Sequence, residues 1–139
     1  MKTRSLGKNG PEVSAIALGG MSFAGFYSPC DRDAAFATMD AAHAGGITFV
    51  DTAELYGRGV SETLIGDWQK DRGKSFTIAT KGGKVVGGKR GEADNSEPAL
   101  RRALEGSLDR LGVDHVTLYY VHRRDWSIPI ETVTETLEG

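Results

Sequence analysis

Four short apolar runs, separated by stretches of helical periodicity, constrain this chain more than any other feature. They are Ala15-Ile16-Ala17-Leu18, Ile47-Thr48-Phe49-Val50, Phe76-Thr77-Ile78-Ala79 and Val116-Thr117-Leu118-Tyr119-Tyr120-Val121. Each is partly β-branched or aromatic and is bounded by glycine or polar residues, the mark of a buried strand. Asp31 should cap a helix over 32–44 that carries Phe36, Met39 and His43 on one face and stops at Gly45-Gly46. Ser61 should cap a shorter helix with the stripe Leu64, Ile65 and Trp68. Leu100, Leu104, Leu108 and Leu111 recur at helical spacing, opened by Ser96 and Pro98 and closed by Gly112. A fourth helix begins near Pro129 and carries Val133 and Leu137. Strands thus recur about every 30 to 40 residues with a helix between, which implies βαβ units and a parallel sheet. Ahead of them, Asn9-Gly10 lies between two short segments, Arg4-Ser5-Leu6 and Glu12-Val13-Ser14, and predicts a β-hairpin.

Composition narrows the function classes. Seventeen Lys+Arg stand against 19 Asp+Glu, a net charge of −2, so no basic excess exists to bind nucleic acid through bulk charge. No apolar run approaches the ~20 residues that span a bilayer, and the first residues lack a signal peptide's apolar core. Cys30 is the one cysteine, so a disulfide framework is out and a reducing, cytoplasmic setting is expected. No linker divides the chain, which reads as one domain over 1–139. Its 139 residues are too few for a complete (βα)8 barrel, which takes ~250. The loop from Gly82 to Asn95 holds five glycines and is expected to be mobile. Within it, Gly83-Lys84-Val85-Val86-Gly87-Gly88-Lys89 matches a phosphate-loop spacing. Arg90 follows where Ser or Thr should hold magnesium, so a nucleoside-triphosphate site is rejected.

In parallel α/β folds the chemistry sits at the carboxyl ends of the strands. Gly19-Gly20-Met21 follow the first run, Asp51 through Tyr56 the second, Lys81 the third and His122 the fourth. A carboxylate, a phenol, an ammonium and an imidazole should therefore share one mouth. A phenol is a poor proton donor near neutrality, and a neighbouring lysine cation improves it by stabilising the phenolate. A buried lysine would lose its charge unless paired, and Asp51 can supply the partner. His122 can hold a substrate oxygen near the tyrosine hydroxyl. Such a set suits reduction of a carbonyl.

The segment Gly46-Ile47-Thr48-Phe49-Val50-Asp51-Thr52-Ala53-Glu54-Leu55-Tyr56-Gly57, with Ser61-Glu62 after it, resembles the aldo-keto reductase signature. Ala103-Leu104-Glu105-Gly106-Ser107-Leu108-Asp109-Arg110-Leu111-Gly112 is similar to that family's second pattern. Thr80-Lys81 and Leu118-Tyr119-Tyr120-Val121-His122-Arg123 resemble its lysine and histidine segments. Thr117 stands where many members have aspartate. The resemblance implies an α/β fold, a partial TIM barrel amounting to roughly the first (βα)4 half behind an N-terminal hairpin. It implies reduction of an aldehyde or ketone by NADPH, or in some members NADH. Tyr56 would be the proton donor, Lys81 its partner, Asp51 the lysine's partner and His122 the substrate-orienting residue. Gly20, Met21 and Asp51 would lie against the cofactor. The resemblance also implies that the groups gripping the rest of the cofactor lie on later strands, so the 139 residues alone are expected to be inactive. Their open sheet edges and uncovered apolar residues, Phe49, Val50, Ile78 and Leu118 among them, are expected to favour self-association. Two other readings stand beside this one: a non-catalytic binding or regulatory module, and a Schiff-base lysine at Lys81 as in barrel aldolases.

Overall fold

In a computed structural model, which describes residues 1–138, the alternation becomes a parallel sheet with helical crossovers. Thr3–Ser5 (β1) and Glu12–Ser14 (β2) form the expected antiparallel hairpin, with Arg4 opposite Val13. Leu18–Gly19 (β3), Phe49–Asp51 (β4), Thr77–Gly82 (β5) and Leu118–Val121 (β6) then lie side by side in chain order, all parallel. Each crossover is a helix: Arg32–Ala44 (α1), Val60–Arg72 (α2) and Glu97–Leu111 (α3). Ile130–Glu138 (α4) follows β6, and a short 3₁₀ turn, Gly20–Ala24, leaves β3. The local reasons are those the sequence offers. Asp31 accepts a hydrogen bond from the Ala34 N–H at the start of α1, Pro98 sits in the first turn of α3, and left-handed Gly73 and Gly112 end α2 and α3.

Register divides the sheet into two faces. Val50 lies beside Leu18 and Ile78, while Asp51 lies beside Gly19 and Ala79, and Lys81 beside Tyr120. Side chains alternate along a strand, so Leu18, Val50 and Ile78 point one way. They pack with Phe36 and Met39 of α1, Ile65 and Trp68 of α2, and Leu111 of α3 in one core. The opposite face carries Phe49, Asp51, Ala79, Lys81, Leu118 and Tyr120. The expectation that Val50 and Ile78 would be left uncovered is therefore wrong, because both are on the helix side and buried. Phe49 and Leu118 do lie on the open face.

Two more local expectations change. The first run enters the sheet only at Leu18–Gly19, and Ile16 is 60% exposed. Upstream, the Ser14 N–H donates to Thr48 Oγ1 and the Thr48 N–H to Ser14 Oγ, both at 3.0 Å, so hydroxyls take the place of ladder bonds. Ser61 is not the cap of α2. Gly59, at φ 92°, takes that position, and the Ser61 hydroxyl turns into the fold. The 82–95 loop folds back on itself through a Lys84–Ala93 bridge. Asn95 ties it down by donating to the carbonyls of Gly83 and Arg123. No helix opens after Lys89, as the rejection of a phosphate loop requires. His43 packs against the stacked rings of Trp68 and Phe76. Among the described residues no helix is long and apolar enough to cross a membrane.

One ion pair joins α2 to α3 from inside. The fully buried Glu62 accepts from Arg110 Nε at 2.8 Å, and Arg110 also reaches Glu54 at 3.7 Å. Removing one partner of a buried pair leaves the other charge without compensation. Arg110→Ala should therefore lower the unfolding free energy by about 3 kcal/mol in urea titrations, far more than an ordinary surface arginine would.

Candidate active site

Three strand ends and the turns after them build the mouth. Asp51 is the last residue of β4, and the chain then turns sharply, with the Tyr56 N–H donating to the Ala53 carbonyl at 3.0 Å. Gly57 makes that turn feasible. Its φ is 65°, and a Cβ there would stand 2.9 Å from Val60 Cβ and 3.0 Å from Ala24 Cβ. Lys81 lies on β5 and faces the same side as Asp51. His122 follows β6 directly, and its N–H donates to the Gly82 carbonyl at 2.8 Å, continuing the ladder.

The side chains converge. Lys81 Nζ donates to Asp51 Oδ1 at 2.5 Å, to the Thr52 carbonyl at 2.8 Å and to Tyr56 Oη at 3.1 Å. The His122 ring stands edge-on to the Tyr56 ring, with centroids 5.7 Å apart. Lys81 is mostly buried and Asp51 about one-third exposed, so the pair is neither a free surface bridge nor fully desolvated. His122 Nδ1 is buried and has no hydrogen-bond partner among the described residues.

An apolar cavity of about 330 Å³ opens beside these groups, lined by Met21, Ala24, Phe26, Leu55, Tyr56, Gly57 and His122. A larger cleft of about 770 Å³ lies at the other end of the sheet, where α2 and α3 finish, and none of the four converging residues lines it. The chemistry decides between them in favour of the smaller one. Of the residues assigned to the cofactor, Met21 is in the cavity wall. Gly20 is buried beneath it, and a Cβ there would lie 2.7 Å from Ser61 Oγ. Glu54 turns from the mouth toward Arg110, and burial raises its carboxyl above the ordinary range. Phe26 was not singled out from sequence; a large aromatic in the loop just after the first strand was the available signal.

Burial, and next the Lys81 and Arg123 charges, push the His122 imidazole below its ordinary 6.5, against an opposing pull from Asp51. His122 should then stay neutral through neutral pH. Exchange of its ring C2 hydrogen for deuterium, followed by mass spectrometry across pH, should give a midpoint under 6.5. A depressed folded-state value also means that the unfolded chain binds this proton first. The contribution to stability is whole above 6.5 and declines as pH falls through the folded value.

Comparison with known proteins places these features. Residues 15–139 match the model of the "Aldo/keto reductase family". Aldo-keto reductase str7 of Strobilurus tenacellus is 42% identical over 139 residues, covering 94% of this chain and 39% of that protein. Aldo-keto reductase yakc [NADP(+)] of Schizosaccharomyces pombe is 39% identical over 140 residues, covering 98% and 41%. The chain thus spans about two-fifths of the length of these relatives. Among solved structures, the holo form of aldo-keto reductase AKR11C1 from Bacillus halodurans superposes with a TM-score of 0.85 at 34% identity. That match covers 99% of this chain and 45% of the other. The glycerol dehydrogenase AKR11B4 from Gluconobacter oxydans gives 0.82 at 30% identity, covering 97% and 43%. The fold is accordingly α/β, part of a TIM barrel.

Proposed function

The chain belongs to the aldo/keto reductase family, and on that premise we propose that its site reduces an aldehyde or ketone to the alcohol, with NADPH as the reductant. The observation that carries this reading is the direction of one hydrogen bond. An ammonium can only donate, so the contact between Lys81 and Tyr56 Oη uses an oxygen lone pair and leaves the phenol O–H free for a ligand. Tyr56 can then protonate the oxygen of a carbonyl as its carbon is reduced, and the Lys81 charge stabilises the phenolate left behind. Asp51 and the Thr52 carbonyl hold that charge in place.

The residues present fit a nicotinamide and a carbonyl. The cavity wall is apolar, and beside it His122 keeps one buried nitrogen without a protein partner. Burying an unpartnered acceptor costs less than burying an unpartnered N–H. With Nδ1 buried and unpartnered, we assign the proton of the neutral ring to Nε2, the nitrogen that would donate to the substrate oxygen. Met21, in the cavity wall, with Gly20 and Asp51 would hold the nicotinamide end, which when bound would supply hydride. The NADP(+) in the name of the Schizosaccharomyces pombe relative supports the choice of NADPH over NADH. Lys81 as a Schiff-base nucleophile fits less well. Its three N–H groups already meet three acceptors, which favours the charged, non-nucleophilic form. A reducing, cytoplasmic setting goes with the reading and rests on the single Cys30. Residues 1–139 read as one barrel-type domain. Alone, they are proposed to be inactive and to associate through the open sheet.

The test completes the barrel with the remaining portion of the Schizosaccharomyces pombe relative. It then follows NADPH consumption with a panel of aldehydes. Aldehyde-dependent turnover supports the reading. Tight NADPH binding without turnover on any carbonyl would mark a binding module instead, and borohydride trapping of substrate on Lys81 would mark an aldolase-type site.

A further inference from the structure

Proton transfer accounts for the groups at the mouth but not for the polar residues buried behind them. Ser61 and Glu62, adjacent in the first turn of α2, are both fully buried. Ser61 Oγ donates to the Gly20 carbonyl at 2.8 Å and shares a 2.8 Å hydrogen bond with Thr52 Oγ1. Glu62 accepts from Thr80 Oγ1 at 2.5 Å and from Arg110 Nε at 2.8 Å. Thr52 and Thr80 are themselves fully buried. Three of these four bonds end one residue from a group at the mouth: Gly20 precedes Met21, Thr52 follows Asp51, and Thr80 precedes Lys81.

We propose that Ser61 and Glu62 are positioning residues for the Lys81–Asp51–Tyr56 group, gripping the ends of β3, β4 and β5 from behind, where β4 carries Asp51 and β5 carries Lys81. The inference rests on the proton-transfer reading above. Strand alternation supplies the lever. Thr80 and Lys81 point to opposite faces, so fixing the hydroxyl of one fixes the rotation of the other. Thr52 is held twice. Its hydroxyl meets Ser61 and its carbonyl receives Lys81. A second turn follows: the Ser61 N–H donates to the Tyr56 carbonyl at 3.2 Å, which ties α2 to the residue that gives the proton. Packing alone does not require this network. Buried ion pairs and hydroxyls can often be replaced by apolar groups of like volume without loss of stability. What apolar groups cannot reproduce is a directional grip on three neighbouring strand ends.

The test uses His122 as a gauge of where Lys81 stands. Lys81 lowers the His122 midpoint after burial does, with Arg123 and Lys84 acting the same way and Asp51 opposing. The midpoint is read by ring C2 hydrogen exchange in the whole chain, for wild type, Ser61→Ala, Thr52→Val, Thr80→Val and Thr80→Ser, with Lys81→Met as the reference. Ser61→Ala, Thr52→Val and Thr80→Val should raise the midpoint from the wild-type value toward that of Lys81→Met. Thr80→Ser, which keeps the hydroxyl, should stay near wild type. In the completed barrel the three hydroxyl deletions should lower kcat about tenfold or more with little change in KM, as expected when reacting groups are misplaced. Three separate hydroxyls keep the test open if one substitution prevents folding. Folded variants whose His122 midpoint stays at the wild-type value would overturn the positioning role. A Tyr56→Phe variant with undiminished turnover would overturn the proton-donor reading instead, and the His122 comparison would still stand by itself.

Discussion

Tyr56→Phe, placed in a completed barrel, should cut carbonyl reduction by about 10²–10⁴-fold while NADPH binding changes little. The substitution removes one oxygen and leaves the ring, so the edge-on contact with His122 and the wall of the apolar cavity persist. What is lost is the proton and the oxygen that receives Lys81 at 3.1 Å. Lys81 keeps Asp51 and the Thr52 carbonyl, so its charge stays held and the fold is not asked to bury an unpaired cation. Because the lost interaction matters only as charge develops on the substrate oxygen, the loss should fall on kcat rather than KM. Cofactor binding is measured by fluorescence titration and turnover by NADPH consumption. Wild-type kcat in Tyr56→Phe would remove Tyr56 from the proton-donor role.

The sequence made the sheet legible because alternation of apolar runs with helical periodicity survives any detail of packing. It also made the positions of the mouth residues legible, since Asp51 ends its strand, His122 follows its strand directly and Lys81 stands one residue before the end of β5. It misread Ser61, and the reason is physical. A serine at the start of a helical stretch is a good cap by propensity, but propensity takes no account of a strand-end carbonyl waiting at 2.8 Å. The same limit hid the Glu62–Arg110 pair, whose members are 48 residues apart and meet only after α2 and α3 pack. Val50 and Ile78 were assigned to the open side because run composition does not tell the two faces of a strand apart. The register that places Val50 beside Ile78, both toward the helices, depends on pairing across the sheet.

The 139 residues expressed alone should self-associate and show negligible NADPH-dependent reduction of aldehydes. The four parallel strands have two lateral edges, β3 and β6, and pair with no further strand among the described residues. Both edges offer backbone groups to another chain. The face opposite the helices holds Phe49, Leu118 and Tyr120 between the charged groups of the mouth, and Tyr120 is 42% exposed. Apolar area left in water forgoes ~25 cal/mol per Å². A few hundred Å² of it amounts to several kcal/mol, comparable with the whole stability of a domain. A second copy, or an aggregate, can cover this face. Neither supplies residues shaped to hold a dinucleotide over Tyr56. Sedimentation should therefore show dimers or larger species. Leu118→Lys with Tyr120→Lys, which charge the open face without touching the helix-side core, should shift the population toward monomer. Supplying the remaining portion of a related barrel as a separate chain should suppress association and restore turnover together, because both defects have one cause. A stable monomer that reduces aldehydes at ordinary enzyme rates, at about 1–10³ per second, would show that this half of the sheet neither needs covering nor depends on further residues to hold its hydride donor.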